Sequence, residues 1–152
     1  MQMYLGEFEV KIDDKARLRL PSALLRQFDG MEKNGFVVNR GFEKCLTLYP
    51  KMEWERITKE INSLNLYVQK NRDFVRYFFR GASELELDAS ERVLLPKPLL
   101  EYIGNGKELV LFAYFNRIEI WNKNDYDNLL DSEPSEFSSL AEEVMGGGDK
   151  GE

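Results

Sequence analysis

Apolar and polar positions alternate in short stretches along this chain before giving way to helical spacing. Val10-Lys11-Ile12 and Arg17-Leu18-Arg19-Leu20 alternate with a period of two. That pattern predicts two half-buried strands, with the Asp13-containing stretch as the turn between them. Pro21 followed by Leu24-Leu25 predicts a short helix that ends near Gly30. Phe36 to Asn39 and Cys45 to Tyr49 predict a second hairpin with Gly41 in its turn. The same order then returns. Leu85-Glu86-Leu87, the turn around Asp88, Pro96 with Leu99-Leu100, Gly104, and the pair Leu109 to Phe112 and Arg117 to Trp121 predict a second β-β-α-β-β series. Between the two series, Trp54, Ile57, Ile61 and Leu64 have helical spacing, and within 68–80 so do Val68, Phe74, Val75, Phe78 and Phe79. Tyr126, Leu129 and Leu130 predict another helix, and Phe137, Leu140 and Val144 one more.

The second series is a copy of the first. At a shift of 75, Gly6 falls on Gly81, Val10 on Leu85, Ile12 on Leu87, Asp13 on Asp88, Arg17 on Arg92, Leu18 on Val93, Leu20 on Leu95 and Pro21 on Pro96. Past the next loop a shift of 72 sets Val37-Val38 on Leu109-Val110, Leu46 on Ile118, Leu48 on Ile120, Tyr49 on Trp121 and Trp54 on Tyr126. The repeat divides the chain into a first module at 5–52, a helical insert at 53–80, a second module at 81–124, a C-terminal helical segment at 125–145 and a polar tail at 146–152 that is expected to be disordered. A module of about 45 residues buries too little surface to be stable alone. Two in one chain can merge into one barrel-like core with an internal two-fold axis. The predicted class is α+β.

Composition narrows the chemistry. The chain has no histidine and one cysteine, Cys45, so neither a Ser-His-Asp nor a Cys-His site can form, and the usual zinc ligands are missing. No intramolecular disulfide is possible, which suits a reducing cytoplasm. No apolar run approaches the ~20 residues a membrane span needs, and Met1 to Phe8 lacks the order of a signal peptide. The formal charge of −6 is unevenly spread: residues 1–80 carry 15 Lys/Arg against 11 Asp/Glu, and residues 81–152 carry 6 against 16. A polyanion should therefore meet the first half despite the acidic total.

Three features carry candidate chemistry. On a strand, Lys15, Arg17 and Arg19 share one face and Ala16, Leu18 and Leu20 the other. Such a basic face can contact phosphates, and arginine can grip guanine edges bidentately; it also reads as the solvated outer face of an edge strand. In the second copy, Lys15 aligns with Ser90, Ala16 with Glu91 and Arg19 with Leu94, so only Arg92 keeps the charge. The first copy is then the one expected to face the polyanion, and the second to pack or to join neighbouring subunits. The pairs Asp13/Arg17 and Asp88/Arg92 span four residues across a tight turn, where the carboxylate can hold both backbone N–H groups and the guanidinium. They read as fold-locking pairs or as positioning devices for the arginine; a hydrolytic carboxylate pair has little support, because duplication alone produces two Asp residues. The third feature, Arg72, Arg76 and Arg80 at i, i+4 and i+8, reads as a second backbone-contacting surface or as a solvated face paired with the acids of a neighbour. Cys45 is expected to be a buried small apolar residue. No P-loop motif occurs, and Gly104-Asn105-Gly106-Lys107 reads as a turn.

The stretch from Asn39 to Pro50, followed by Glu53-Trp54-Glu55, together with the doubled Asp-x-x-x-Arg, resembles the MraZ family, bacterial proteins of the SpoVT/AbrB-like swapped-hairpin group. The resemblance covers about residues 3–145. It implies a pseudo-two-fold double-psi/swapped-hairpin barrel and a sequence-specific DNA-binding transcriptional regulator, a repressor rather than an enzyme. It further implies action at the promoter of the division and cell wall gene cluster, assembly into a ring-like homo-oligomer, and a nucleoid-associated place in the cytoplasm. The partner expected is double-stranded promoter DNA, with no cofactor, metal, small-molecule substrate or membrane. Residue by residue, the family's motif arginines are Arg17, with Lys15 just before it, and Arg92. Many members have Gly before the motif arginine, where this chain has Ala16 and Glu91. If that position needs φ > 0, both adopt it at some cost. The alternative function is an antitoxin-like or scaffold protein-interaction module, which the acidic run after Asp125 would suit and the internal duplication argues against.

Overall fold

A computed structural model describes residues 3–131 and 136–146. The expected disorder of the tail therefore lies outside the described residues from 147 onward. In chain order the elements are β1 (Tyr4–Lys11), β2 (Arg17–Arg19), α1 (Ser22–Phe28), a 3-10 turn (Met31–Asn34), β3 (Phe36–Arg40), β4 (Leu46–Pro50), α2 (Lys51–Ile61) and α3 (Gln69–Phe79). The second series follows as β5 (Ser83–Leu85), β6 (Arg92–Leu94), α4 (Lys97–Tyr102), β7 (Glu108–Phe115), β8 (Arg117–Asn122), α5 (Lys123–Asp131) and α6 (Phe137–Met145).

The sheets are shared between the two copies. One antiparallel sheet runs in the order β1-β7-β8-β4-β3-β5, and a two-stranded ribbon pairs β2 with β6. Thus β1 of the first copy pairs with β7 of the second, and β5 of the second with β3 of the first. Equivalent residues face each other at two places. Leu18 pairs with its counterpart Val93, and Thr47 with its counterpart Glu119. Both pairs therefore sit on the internal two-fold axis.

One strand corrects the alignment. Leu109 pairs with Val10, while Phe36 pairs with Leu85, the counterpart of Val10. Phe36 rather than Val37 thus occupies the place of Leu109. Phe36 and Val38 lie in the main core, as do Leu109 and Leu111. A one-residue slip would have turned both pairs to the wrong face.

The main core joins Leu18, Leu20, Leu24 and Phe28 of the first copy to Val93, Leu95, Leu99 and Ile103 of the second. Tyr4, Phe28 and Phe36 extend it as an edge-to-face row with ring centroids 5.0 and 5.2 Å apart. Pro21 and Pro96 cap their short helices, and Pro21 O accepts from both Leu24 N and Leu25 N. Gly41 turns the β3–β4 hairpin because a Cβ there would come within 2.6 Å of Cys45 Sγ. Cys45 is buried, and burial, followed by the nearby Glu119 carboxylate, pushes its thiol up to about 12. In α2 the buried residue is Glu53, whose Oε1 accepts from Arg56 Nη1 at 2.7 Å. Trp54 and Ile57 are only half-buried. Among the described residues no helix is long and apolar enough to cross a membrane.

Candidate nucleic-acid interface

The ribbon's two faces follow from strand geometry. Leu18 and Val93 point inward and are fully buried, so Arg17, Arg19, Arg92 and Leu94 share the outer face. Register sets Arg17 beside Leu94 and Arg19 beside Arg92. Two like charges directly opposite are unfavourable in a lone ribbon, and an anion laid across them reverses the sign. Lys15 and Arg19 are exposed, and among the described residues neither side chain has an ion-pair or hydrogen-bond partner.

Both turns leading into the ribbon are built alike. Asp13 Oδ1 accepts the N–H groups of Lys15 (2.9 Å) and Arg17 (2.8 Å), and Oδ2 accepts Arg17 Nε at 2.7 Å. Asp88 Oδ1 accepts Ser90 N (2.8 Å) and Arg92 N (2.9 Å), and Oδ2 accepts Arg92 Nε at 2.9 Å. The geometry requires a left-handed residue before each arginine. Ala16 and Glu91 supply it, both at φ 64°, where a Cβ is unfavourable. The hydrogen bond from the Arg17 N–H, reinforced by its guanidinium and by the Lys15 N–H, holds the Asp13 carboxyl below the usual carboxylate range. Asp88 is lowered in the same way, first by the Arg92 N–H.

The two arginines differ in what remains free. Arg17 spends Nε on Asp13, and among the described residues its two terminal nitrogens have no partner. Arg92 spends Nε on Asp88 and in addition brings Nη1 to 4.0 Å from Asp13 Oδ2, across the copy boundary. Two carboxylates therefore flank Arg92, with Glu91 next to it in sequence.

Sequence reasoning missed Leu94, an apolar residue 59% exposed opposite Arg17 on the outer face of the ribbon. Its alignment with Arg19 was the available signal. The Arg72, Arg76 and Arg80 stripe lies on and just past α3, separate from the ribbon. There Arg72 Nη1 donates to Leu66 O at 2.8 Å, and Arg76 contacts Asp73 at 3.4 Å.

Fold and site together define a duplicated α+β protein whose copies share one cationic ribbon. Two successive stretches, 3–77 and 78–145, match the family model described as "MraZ protein, putative antitoxin-like", and the chain belongs to the MraZ family. It is similar to proteins named "Transcriptional regulator MraZ" from Christiangramia forsetii (44% identical, covering 95% of this chain and 94% of the relative) and Flavobacterium psychrophilum (42%, covering 96% and 94%). A third, from Cytophaga hutchinsonii, is 34% identical over 95% of this chain and 96% of its own. The family is one of transcriptional regulators, not of enzymes.

Proposed function

We propose that this chain is a sequence-specific DNA-binding transcriptional regulator, a repressor at the promoter of the division and cell wall gene cluster. It would act from the cytoplasm in association with the nucleoid. The observation that carries the reading is the outer face formed by Arg17 and Arg19 on β2, with Arg17 aimed by Asp13 while its terminal nitrogens stay free; Lys15, expected on the same strand face, is exposed in the turn before it, because the left-handed Ala16 breaks the alternation. Lys15 and Arg19 would take phosphates, and Arg17 a base edge or phosphate. Arg92 would contribute less, being shared between Asp88 and Asp13. Pairing of β1 with β7 and of β5 with β3 supports a swapped-hairpin barrel assembled from modules at 5–52 and 81–124. One ribbon offers few contacts. A ring of copies on repeated DNA boxes would raise affinity by ~10²–10⁴ through effective concentration.

Arg17→Ala should weaken binding to the repeats upstream of the protein's own coding sequence by about tenfold or more in a gel shift, since a bidentate arginine contact is worth ~1–3 kcal/mol. Undiminished affinity would remove Arg17 from the interface. Failure of the parent protein to shift that DNA, with co-purification of a small basic partner, would favour the antitoxin-like reading, for which the acidic segment after Asp125 speaks.

A further inference from the structure

The ribbon's outer face holds one apolar side chain among three arginines. Four positions point outward, Arg17 and Arg19 on β2 and Arg92 and Leu94 on β6. Leu94 is exposed and belongs to neither of the buried apolar clusters. Its neighbours hold it there. Val93 and Leu95 on either side are buried, so a strand that turned Leu94 inward would turn both of them out. A lone exposed leucine is ordinary on a protein surface, but this one stands in a cationic face.

The repeat sharpens the contrast. The internal axis passes through Leu18 and Val93, so it relates Arg17 to Arg92 and Arg19 to Leu94. The first pair is kept, each arginine giving Nε to its own aspartate. The second is broken, with a guanidinium on one side and an isobutyl group on the other. A ribbon symmetric at all four positions would offer the same groups to both halves of a bound element. This ribbon offers a cation to one half and an apolar tip to the other.

The chemistry of leucine selects what that tip can recognise. It has no donor or acceptor for a base edge and no charge for a phosphate. A two-stranded ribbon fits the major groove of B-DNA, and the apolar group displayed there is the 5-methyl of thymine. Register sets Leu94 directly opposite Arg17, and residues so placed have Cβ atoms ~4.5–5.5 Å apart. That separation is close to the ~3.4 Å between successive positions along one DNA strand. With Arg17 on one base pair, Leu94 reaches the next.

We propose that Leu94 is a specificity-determining residue that packs on the 5-methyl group of a thymine adjacent to the base pair Arg17 contacts. The inference deepens the DNA-binding reading and rests on it; assembly of the chain does not enter.

The test measures binding of the full chain to duplexes from the region upstream of its own coding sequence, by fluorescence anisotropy. Each thymine is replaced in turn by deoxyuridine, which keeps base pairing and removes only the methyl group. At one position the parent should lose about fourfold in affinity, the effect of returning one methyl-sized group to water. Leu94→Ala should bind the unmodified duplex more weakly than the parent and should no longer distinguish thymine from uracil at that position. The side chain is exposed, so its melting transition should match the parent. Leu94→Arg, which copies Arg19, should also lose the thymine preference, while the slope of log K against log[salt] steepens by about one. Parent binding indifferent to every uracil, or a preference that survives in Leu94→Ala, would overturn the assignment and leave the DNA reading standing. An unchanged salt slope in Leu94→Arg would place position 94 away from the duplex and overturn it as well. A parent that does not bind the unmodified duplex would overturn the DNA reading itself, and the assignment with it.

Discussion

One oxygen of Asp13 takes two backbone N–H groups and the other takes the Arg17 guanidinium, so a single carboxylate sets the turn and aims the side chain. Asp13→Asn separates these roles from bulk charge. The substitution makes the protein more positive, and electrostatics alone would tighten binding to a polyanion. If Asp13 positions Arg17, binding should instead weaken by several-fold, because an amide nitrogen cannot accept from Nε. The same variant should lower thermal stability. The direction with pH follows from the lowered carboxyl: the Asp13 contribution is complete above the ordinary carboxylate value of ~3.9 and is lost as pH falls through the depressed one. The parent should therefore lose stability more steeply than Asp13→Asn below about pH 4, in melts recorded from pH 6 downward. Tighter DNA binding by the variant would show that the carboxylate merely repels the ligand.

The pairing of equivalent residues makes β2 and β6 one unit. Leu18 and Val93 meet on the internal axis, both fully buried, in the main core cluster to which both copies contribute. Leu18→Ala should cost about 2–5 kcal/mol in urea unfolding, the range for a large-to-small change at a tightly packed core site. The transition should stay single, since neither copy has a core of its own. Two separate transitions would mean that the copies fold independently. The elements themselves were readable because alternation and helical spacing report which face of a segment is apolar. They do not report the partner. Nothing in Val10-Lys11-Ile12 says that β1 pairs with a strand about a hundred residues away, or that it begins at Tyr4. Val37 and Val38 are chemically alike, so sequence could not fix the offset of β3, which the register with β5 decides. Glu53 broke the helical pattern for a local reason: Arg56 one turn on neutralises it, and a buried charge is tolerated where it is paired. At the site, the basic face and the doubled Asp–Arg pair were legible as residue types at fixed spacing. The unequal freedom of Arg17 and Arg92 was not, because it depends on Asp13 reaching across the axis.

Across the whole molecule, charge is sorted rather than balanced. The first 80 residues are net positive and the rest strongly negative, so a polyanion has one approach and a large acidic surface to avoid. A ring that turns its shared β2–β6 ribbons toward DNA and its acidic segments away from it would satisfy both constraints. That arrangement has a measurable signature. If Lys15, Arg17 and Arg19 of each engaged protomer neutralise about three phosphates, log K should fall against log[salt] with a slope near −3 per protomer. DNA with two boxes should then show about twice the slope of DNA with one, and Arg17→Ala should reduce the magnitude by roughly one per engaged protomer. Fluorescence anisotropy on one-box and two-box duplexes between about 50 and 200 mM salt resolves differences of this size. A slope that is the same for one box and two would mean that a single ribbon carries all the binding, and that assembly serves some purpose other than grip on DNA.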